Sequence, residues 1–275
     1  MPVFNGARYL PASIRSCLFS MGQKDELLVV DDCSTDNTWK ILRSFSDSRL
    51  RIVKNPKQIG VGPSLNRLLE LARHETIARM DSDDICLPWR FFVQKRMFLH
   101  SRSDFHFGNT VRFGRLWAAP EWPVGISNDQ AKELLPFFNP FTHPTLLSTK
   151  STIKNLGGYT SGRGQDYELW LKASLGSYRI SKSAFPVLLY RNHGNQHGKQ
   201  LKNPLSPGVN DLRTRLFEEN RVECRSIFTH KLASLVLKDK EGHQALDSAF
   251  NSSGFLFRKL ALLSSRIKNK CNWKM

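Results

Sequence analysis

Leu27-Leu28-Val29-Val30-Asp31-Asp32-Cys33-Ser34-Thr35-Asp36 is the stretch whose reading decides the fold. Its continuous apolar run, half of it β-branched, suits a strand buried on both faces, as in a parallel sheet covered by helices. The paired carboxylates that follow stand where such a strand ends, at the sheet edge where open α/β folds bind their ligands. Ser34-Thr35-Asp36-Asn37 supplies capping side chains just before Trp39, Ile41, Leu42 and Phe45, so a helix begins there.

The same alternation extends outward from this unit. Leu10, Ile14, Cys17 and Leu18 fall on one helical face, as do Leu65, Leu68, Leu69 and Ala72. Leu50-Arg51-Ile52-Val53 and Thr76-Ile77-Ala78-Arg79-Met80 read as further strands. The pattern predicts an α/β fold with a mostly parallel, Rossmann-like sheet flanked by helices. From Asp104 the order changes to a loop-rich stretch holding Pro120, Pro123, Pro136, Pro140 and Pro144, followed by a helical patch from Asp166 to Ser174. Residues 1–103 and 104–198 are therefore read as the halves of one domain, the second less regular. Gly194 to Gly208 is polar and rich in Asn, Gly, Pro and Lys, a linker into a basic helical C-terminal extension, residues 199–275.

Composition narrows the partners. The chain has 275 residues, 40% of them hydrophobic, enough to bury one sizeable core. A net charge of +17 suits a phosphorylated ligand, an anionic membrane surface or nucleic acid. No zinc finger, RRM or other recognised module is present, which argues against nucleic acid and against a non-enzymatic nucleic-acid-binding protein. The five cysteines are scattered and include no CxxC pair, so neither a zinc site nor a disulfide framework is expected. With no apolar run long enough to span a bilayer and no secretory signal, a cytoplasmic protein is expected, free or at the inner face of the plasma membrane. Leu256, Leu260, Leu263 and Ile267 share a helical face beside Arg258, Lys259, Arg266, Lys268 and Lys270. That segment reads either as a helix docked on the protein or as a basic amphipathic helix on anionic lipid.

The acidic clusters carry the chemistry. Asp31-Asp32 and Asp81-Ser82-Asp83-Asp84 each follow a predicted strand, and Asp166 opens a predicted helix. Asp81 and Asp83 flank one residue in a turn, where both carboxylates can point into one cleft. Such a pair suits a hard cation, Mg²⁺ or Mn²⁺, whose remaining positions are filled by water and substrate phosphates. Lys57, Arg67 and Arg79 are candidate phosphate contacts. Gly60-Val61-Gly62 lacks both the third glycine of a dinucleotide fingerprint and the Lys-Ser/Thr of a P-loop. Asn5-Gly6-Ala7-Arg8 is not the Gly-rich basic loop that the nearest alternative enzyme, a nucleotidyltransferase, would need. His143 and His193 sit in loops, as structural residues or ligand contacts. Trp39 and Trp170 lie at core spacing, whereas Trp117 and Trp122 are candidates for stacking on an acceptor.

Taken in series, Pro2-Val3-Phe4-Asn5-Gly6, Val29-Val30-Asp31-Asp32-Cys33-Ser34-Thr35-Asp36 and Ala78-Arg79-Met80-Asp81-Ser82-Asp83-Asp84 resemble the successive motifs of family 2 glycosyltransferases. Asn139-Pro140-Phe141-Thr142-His143-Pro144-Thr145, Gly157-Gly158-Tyr159, Gln165-Asp166-Tyr167-Glu168-Leu169-Trp170 and Tyr190-Arg191-Asn192-His193 are similar to the acceptor-lobe motifs of bacterial members that build surface polysaccharides. The likeness covers residues 1–198 and implies a GT-A fold and inverting transfer from a nucleotide sugar, UDP-linked by expectation, to a saccharide or lipid-linked saccharide. It implies that Pro2 and Val3 line the uracil pocket and that Asp32 accepts a hydrogen bond from the base. Asp81-Ser82-Asp83 matches the DXD motif, with Asp83 the metal ligand and Asp81, a second candidate ligand, nearer the ribose or the sugar. Asp166 matches the general base, with Glu168 as the alternative. Gln165 stands where the family usually has Glu, and Met1-Pro2-Val3-Phe4 is shorter than the usual first strand, so either the strand is short or translation begins upstream.

Overall fold

In the computed structural model, which describes residues 1–121, 124–194, 205 and 207–221, every residue of the Leu27–Asp31 strand is buried. With β1 (Pro2–Val3) and β3 (Leu50–Lys54), this strand, β2, forms a parallel sheet in the order β1-β2-β3. Pro2 pairs with Val30 and Val3 with Asp31, so the ends of β1 and β2 lie side by side. The alternation of the strand divides the core. Leu28 and Val30 pack with Leu65, Leu68 and Leu69 of α3 (Val61–Leu71), while Leu27 and Val29 pack with Leu10, Ile14 and Cys17 of α1 (Leu10–Ser20) and Leu42 of α2 (Thr38–Arg43). Both faces of β2 are thus covered by helices, as its apolar run requires.

A second, mixed sheet has the order β4-β8-β6-β9-β5, from β4 (Thr76–Ala78), β5 (Ile85–Cys86), β6 (Phe105–Phe113), β8 (Leu147–Thr149) and β9 (Ile180–Arg191), with β7 (Ala118–Pro120) added to β6. Only its β6–β9 pair is parallel. Parallel pairing thus makes up the first sheet and the long β6–β9 ladder of the second, and the stretch after Asp104, expected to be loop-rich, holds the two longest strands among the described residues. Pro186 obscured one of them: it lies inside β9 opposite Asn109, where the ladder shifts register, a position that tolerates a missing N–H. The prolines at 136, 140 and 144 fall between strands.

The remaining helices are α4 (Arg90–Ser101), α5 (Asn128–Leu134), α6 (Lys150–Asn155), α7 (Gln165–Leu175) and α8 (Pro207–Arg221). Ser127 caps α5 in a reciprocal capping box with Gln130. One compact unit spans Met1–Leu216 and includes the buried Val209 and Leu216; the other is Phe217–Met275. The basic segment from Leu256 to Lys270 lies outside the described residues, among which no helix is long and apolar enough to cross a membrane.

Trp170 of α7 anchors the second sheet. It is fully buried, with its ring edge-on to Phe105 at 5.3 Å and Phe107 at 4.9 Å between centroids. Trp170→Ala leaves a cavity that the surrounding strands can close only in part, and is expected to cost roughly 3–5 kcal/mol. Urea unfolding monitored by circular dichroism measures this; a loss below about 1 kcal/mol would show that Trp170 is not a core anchor.

Candidate functional site

The loops after β1 and β2 are tied to each other before any ligand is considered. Asn5 N and Gly6 N donate to the hydroxyls of Ser34 and Thr38, each at 2.9 Å, and Thr35 N donates to Asn5 Oδ1 at 2.9 Å. Asp32 N donates to Val3 O at 2.8 Å. The Asp32 carboxylate is buried and accepts bonds from Asn55 Nδ2 at 2.6 Å, Ile59 N at 2.9 Å and Gly60 N at 2.8 Å. Gly60 meets it with φ near +90°, a conformation that favours glycine. Asp32 thereby organises the loop between β3 and α3, and three accepted bonds leave lone-pair capacity on the carboxylate for one more donor. Arg67, a candidate phosphate contact, donates to Asn55 Oδ1 and so supports Asp32 from behind. Lys57 is exposed. Asp31 Oδ1 accepts from Ser34 N at 3.1 Å, while Oδ2 is buried with no hydrogen-bond partner.

At the end of β4, Asp81, Asp83 and Asp84 bring carboxylate oxygens within 4.8 Å of one another. Asp84 Oδ1 accepts from Arg191 N at 2.8 Å, and its Oδ2 is buried without a partner. Arg191 Nε donates to Asp83 O at 2.6 Å, and His193 Nε2 lies 2.8 Å from Asp83 Oδ2. Asp81 forms an ion pair with Arg79, and its carbonyl accepts from Ser13 Oγ at 2.9 Å. The Ser82 side chain faces Gly6, across from the β1 loop. Burial and then the neighbouring Asp81 raise the pKa of Asp83, and burial, Asp81 and Asp83 raise that of Asp84 well above the carboxylate range. Crowded carboxylates with an orphaned buried oxygen are the donor set a hard divalent cation satisfies. Asp84 belongs to the acidic run read from the sequence, but the contacts of Arg191 and His193 with it and with Asp83 were not legible locally, because Arg191 and His193 lie more than a hundred residues along the chain.

Asp166 sits in the first turn of α7, after Gly164 at φ near +86°. It is half-buried, and Asn139 Nδ2 donates to its Oδ2 at 3.2 Å. Burial raises its pKa, against the stabilising Tyr167 N–H and Arg79. The charge of Arg79 thus acts on both the Asp81 cluster and Asp166. Glu168 is engaged differently, accepting from Thr160 Oγ1 at 2.7 Å and pairing with Lys172 at 2.8 Å. His143 packs against Trp170 with its Nε2 at 3.2 Å from the Tyr159 hydroxyl, and burial and Arg79 hold its pKa well below the usual value. Trp39 packs on the core, Trp117 is about half exposed and Trp122 lies outside the described residues.

Arg90 braces the acidic turn. Fully buried, it donates from Nη2 to Arg79 O at 2.6 Å and Pro144 O at 2.7 Å, and from Nε to Gln94 Oε1 at 2.9 Å. Gln94 Nε2 in turn donates to Thr145 O at 2.6 Å. Side chains of α4 therefore join the backbone leading into Asp81 to the 3₁₀ turn His143–Thr145.

Residues 1–147 match the family model described as Glycosyl transferase family 2. Over 170 residues the chain is 31% identical to the amylovoran biosynthesis glycosyltransferase AmsE of Erwinia amylovora, a match covering 59% of this chain and 64% of that one. Over 109 residues it is 38% identical to the Escherichia coli enzyme WfgD, named a UDP-Glc:alpha-D-GlcNAc-diphosphoundecaprenol beta-1,3-glucosyltransferase, covering 40% of this chain and 43% of that one. The chain thus spans less than two thirds of the length of either relative. Among solved structures, S. aureus TarS 1–349 in complex with UDP-GlcNAc superposes with a TM-score of 0.63 at 20% identity, covering 84% of this chain and 68% of that one, which bears out the GT-A architecture.

The raised pKa of Asp84 has a sign that can be tested. Its folded-state affinity for a proton exceeds the unfolded one, so its contribution to stability is complete below the unfolded pKa and is lost as pH rises toward the folded value. Asp84→Asn does not titrate. Without divalent cation, its stability relative to wild type should therefore increase as pH rises above the ordinary aspartate pKa of about 4. Urea midpoints of both proteins from that pH upward check this, and a constant difference would mean Asp84 is not held in its protonated form.

Proposed function

The chain belongs to the family 2 glycosyltransferases, and we propose that it moves a sugar from a UDP-sugar to a hydroxyl of a saccharide or lipid-linked saccharide, with inversion, in cell-surface polysaccharide synthesis. The observation that carries this reading is the cluster of Asp81, Asp83 and Asp84 coupled through Arg79 to the half-buried Asp166. One side offers oxygen ligands for the cation of a sugar diphosphate, the other an acid-base group. The names of AmsE and WfgD, and the nucleotide sugar bound to TarS, support the same class of chemistry.

In this proposal Asp83 and Asp81 hold Mn²⁺ or Mg²⁺, with Asp84 and His193 beside them. When bound, the cation supplies charge stabilisation to the departing diphosphate. Asp32 receives a hydrogen bond from the base, next to the backbone of Pro2 and Val3. Asp166 accepts the proton of the attacking acceptor hydroxyl. Burial makes it more basic than an exposed aspartate, and the field of Arg79 opposes part of that rise, a balance suited to a general base. Asn139 orients its carboxylate. Glu168 is the weaker choice, since Thr160 and Lys172 already engage it. Action at the inner face of the plasma membrane would fit a lipid-linked acceptor.

Asp83→Ala should abolish the Mn²⁺-dependent part of UDP affinity measured by calorimetry; unchanged UDP and Mn²⁺ binding would remove the metal assignment. A screen of nucleotide sugars with Mn²⁺ identifies the donor. With it, Asp166→Asn should lower transfer on the order of 10²–10⁴-fold while donor binding survives. A near-normal rate in Asp166→Asn beside a collapsed one in Glu168→Gln would move the base. NMR of the new anomeric centre should give a β-linkage from an α-linked donor, and a retained α-linkage would refute single displacement.

A further inference from the structure

The deepest positions of α4 are polar although Phe91 on the same helix packs against the core. The most buried side chains of the helix are Arg90 and Gln94, while Phe92 and Leu99 are 68% and 67% exposed. Phe92 and Leu99 are seven residues apart and so fall on one line along the helix, about 20° out of register. Lys95 and Arg96 are exposed on the same side, the Arg96 guanidinium lying 5.7 Å from the Phe92 ring centre. At the start of the helix Trp89 is 42% exposed and edge-on to Phe185, also 42% exposed, at 6.3 Å. Single exposed apolar residues are ordinary, but large ones gathered on a helix face mark a surface that something covers.

Charge selects the occupant. From Ile85 through Ser103 the sequence has no acidic residue, while Lys95, Arg96 and the helix-capping Arg102 are exposed. A second copy seated face to face by twofold symmetry would set these cations against their own equivalents. An anionic bilayer surface meets both requirements: phosphates for Lys95, Arg96 and Arg102, and a headgroup–acyl boundary for Trp89, Phe92, Leu99 and Phe185. We propose that the outer face of α4, together with Phe185, is a docking surface for anionic lipid. The proposal rests on this surface alone, independently of which sugar and acceptor the enzyme uses and of the segment beyond Arg221.

The test is co-sedimentation of the full chain with phosphatidylcholine vesicles that contain or lack phosphatidylglycerol. The chain should sediment with the anionic vesicles and not the neutral ones. The double variant Phe92→Glu/Leu99→Glu should lose at least about tenfold in partitioning, and Lys95→Ala/Arg96→Ala on the order of tenfold, with circular dichroism and UDP affinity unchanged. The second pair changes only exposed polar side chains, so it decides the matter if the first disturbs folding. Wild-type partitioning in the Lys95→Ala/Arg96→Ala variant, or no binding of the full chain to anionic vesicles, overturns the proposal. So does light scattering that finds a dimer dispersed by Phe92→Glu/Leu99→Glu in a chain that ignores vesicles, because a second copy would then be the occupant.

Discussion

A guanidinium with no access to water needs acceptors in every direction, and Arg90 finds its acceptors in the backbone of the site. The carbonyls of Arg79 and Pro144, the Met80 sulfur and the Gln94 side chain take its protons. None of these partners is charged, so the desolvation of the cation is offset only while all are in place. The β4 end and the His143 turn are held together by that demand. Arg79, fixed through its own carbonyl, then points its charge at Asp81. One buried cation thus positions a second one, and the second tunes the carboxylates.

That arrangement explains how a chain of net charge +17 carries an acidic site. Asp81, Asp83 and Asp84 are crowded more closely than water alone would favour, and burial raises the proton affinity of two of them. Arg79 from β4 and Arg191 from the end of β9 approach from different parts of the chain. Arg191 also lies 4.5 Å from the ring centres of both Tyr9 and Phe113, which fixes the guanidinium without neutralising it. The cluster is therefore framed by cations yet keeps an orphaned oxygen on Asp84.

Much of this was legible in the sequence, and the division follows sequence distance and polarity. The Leu27 run, the cap before Trp39 and the stripes at Leu10 and Leu65 became β2, α2, α1 and α3, because each is specified by neighbours a few residues away. The acidic positions followed from strand ends in the same way. The strands β6 and β9 did not, since their pairing is nonlocal and Pro186 interrupts the pattern of one of them. His193 and Arg191 reach the acidic cluster through that same strand, so missing the strand meant missing the contacts. Arg90 and Gln94 were hidden for the opposite reason: a local pattern reads arginine and glutamine in a helix as solvent-facing.

The brace and the exposed face of α4 are consequences of one choice. An amphipathic helix has a single inward stripe, and here Arg90 and Gln94 occupy its most buried positions because the carbonyls of Arg79, Pro144 and Thr145 require donors. Phe92 and Leu99, on the remaining arc, are then left outside, where a monomer in water gains nothing from them. Replacing them by polar residues would not disturb the brace, so the brace alone does not account for their chemistry. Phe92 and Leu99 beside Lys95 and Arg96 match the surface proposed for this face, one that takes apolar and cationic side chains together.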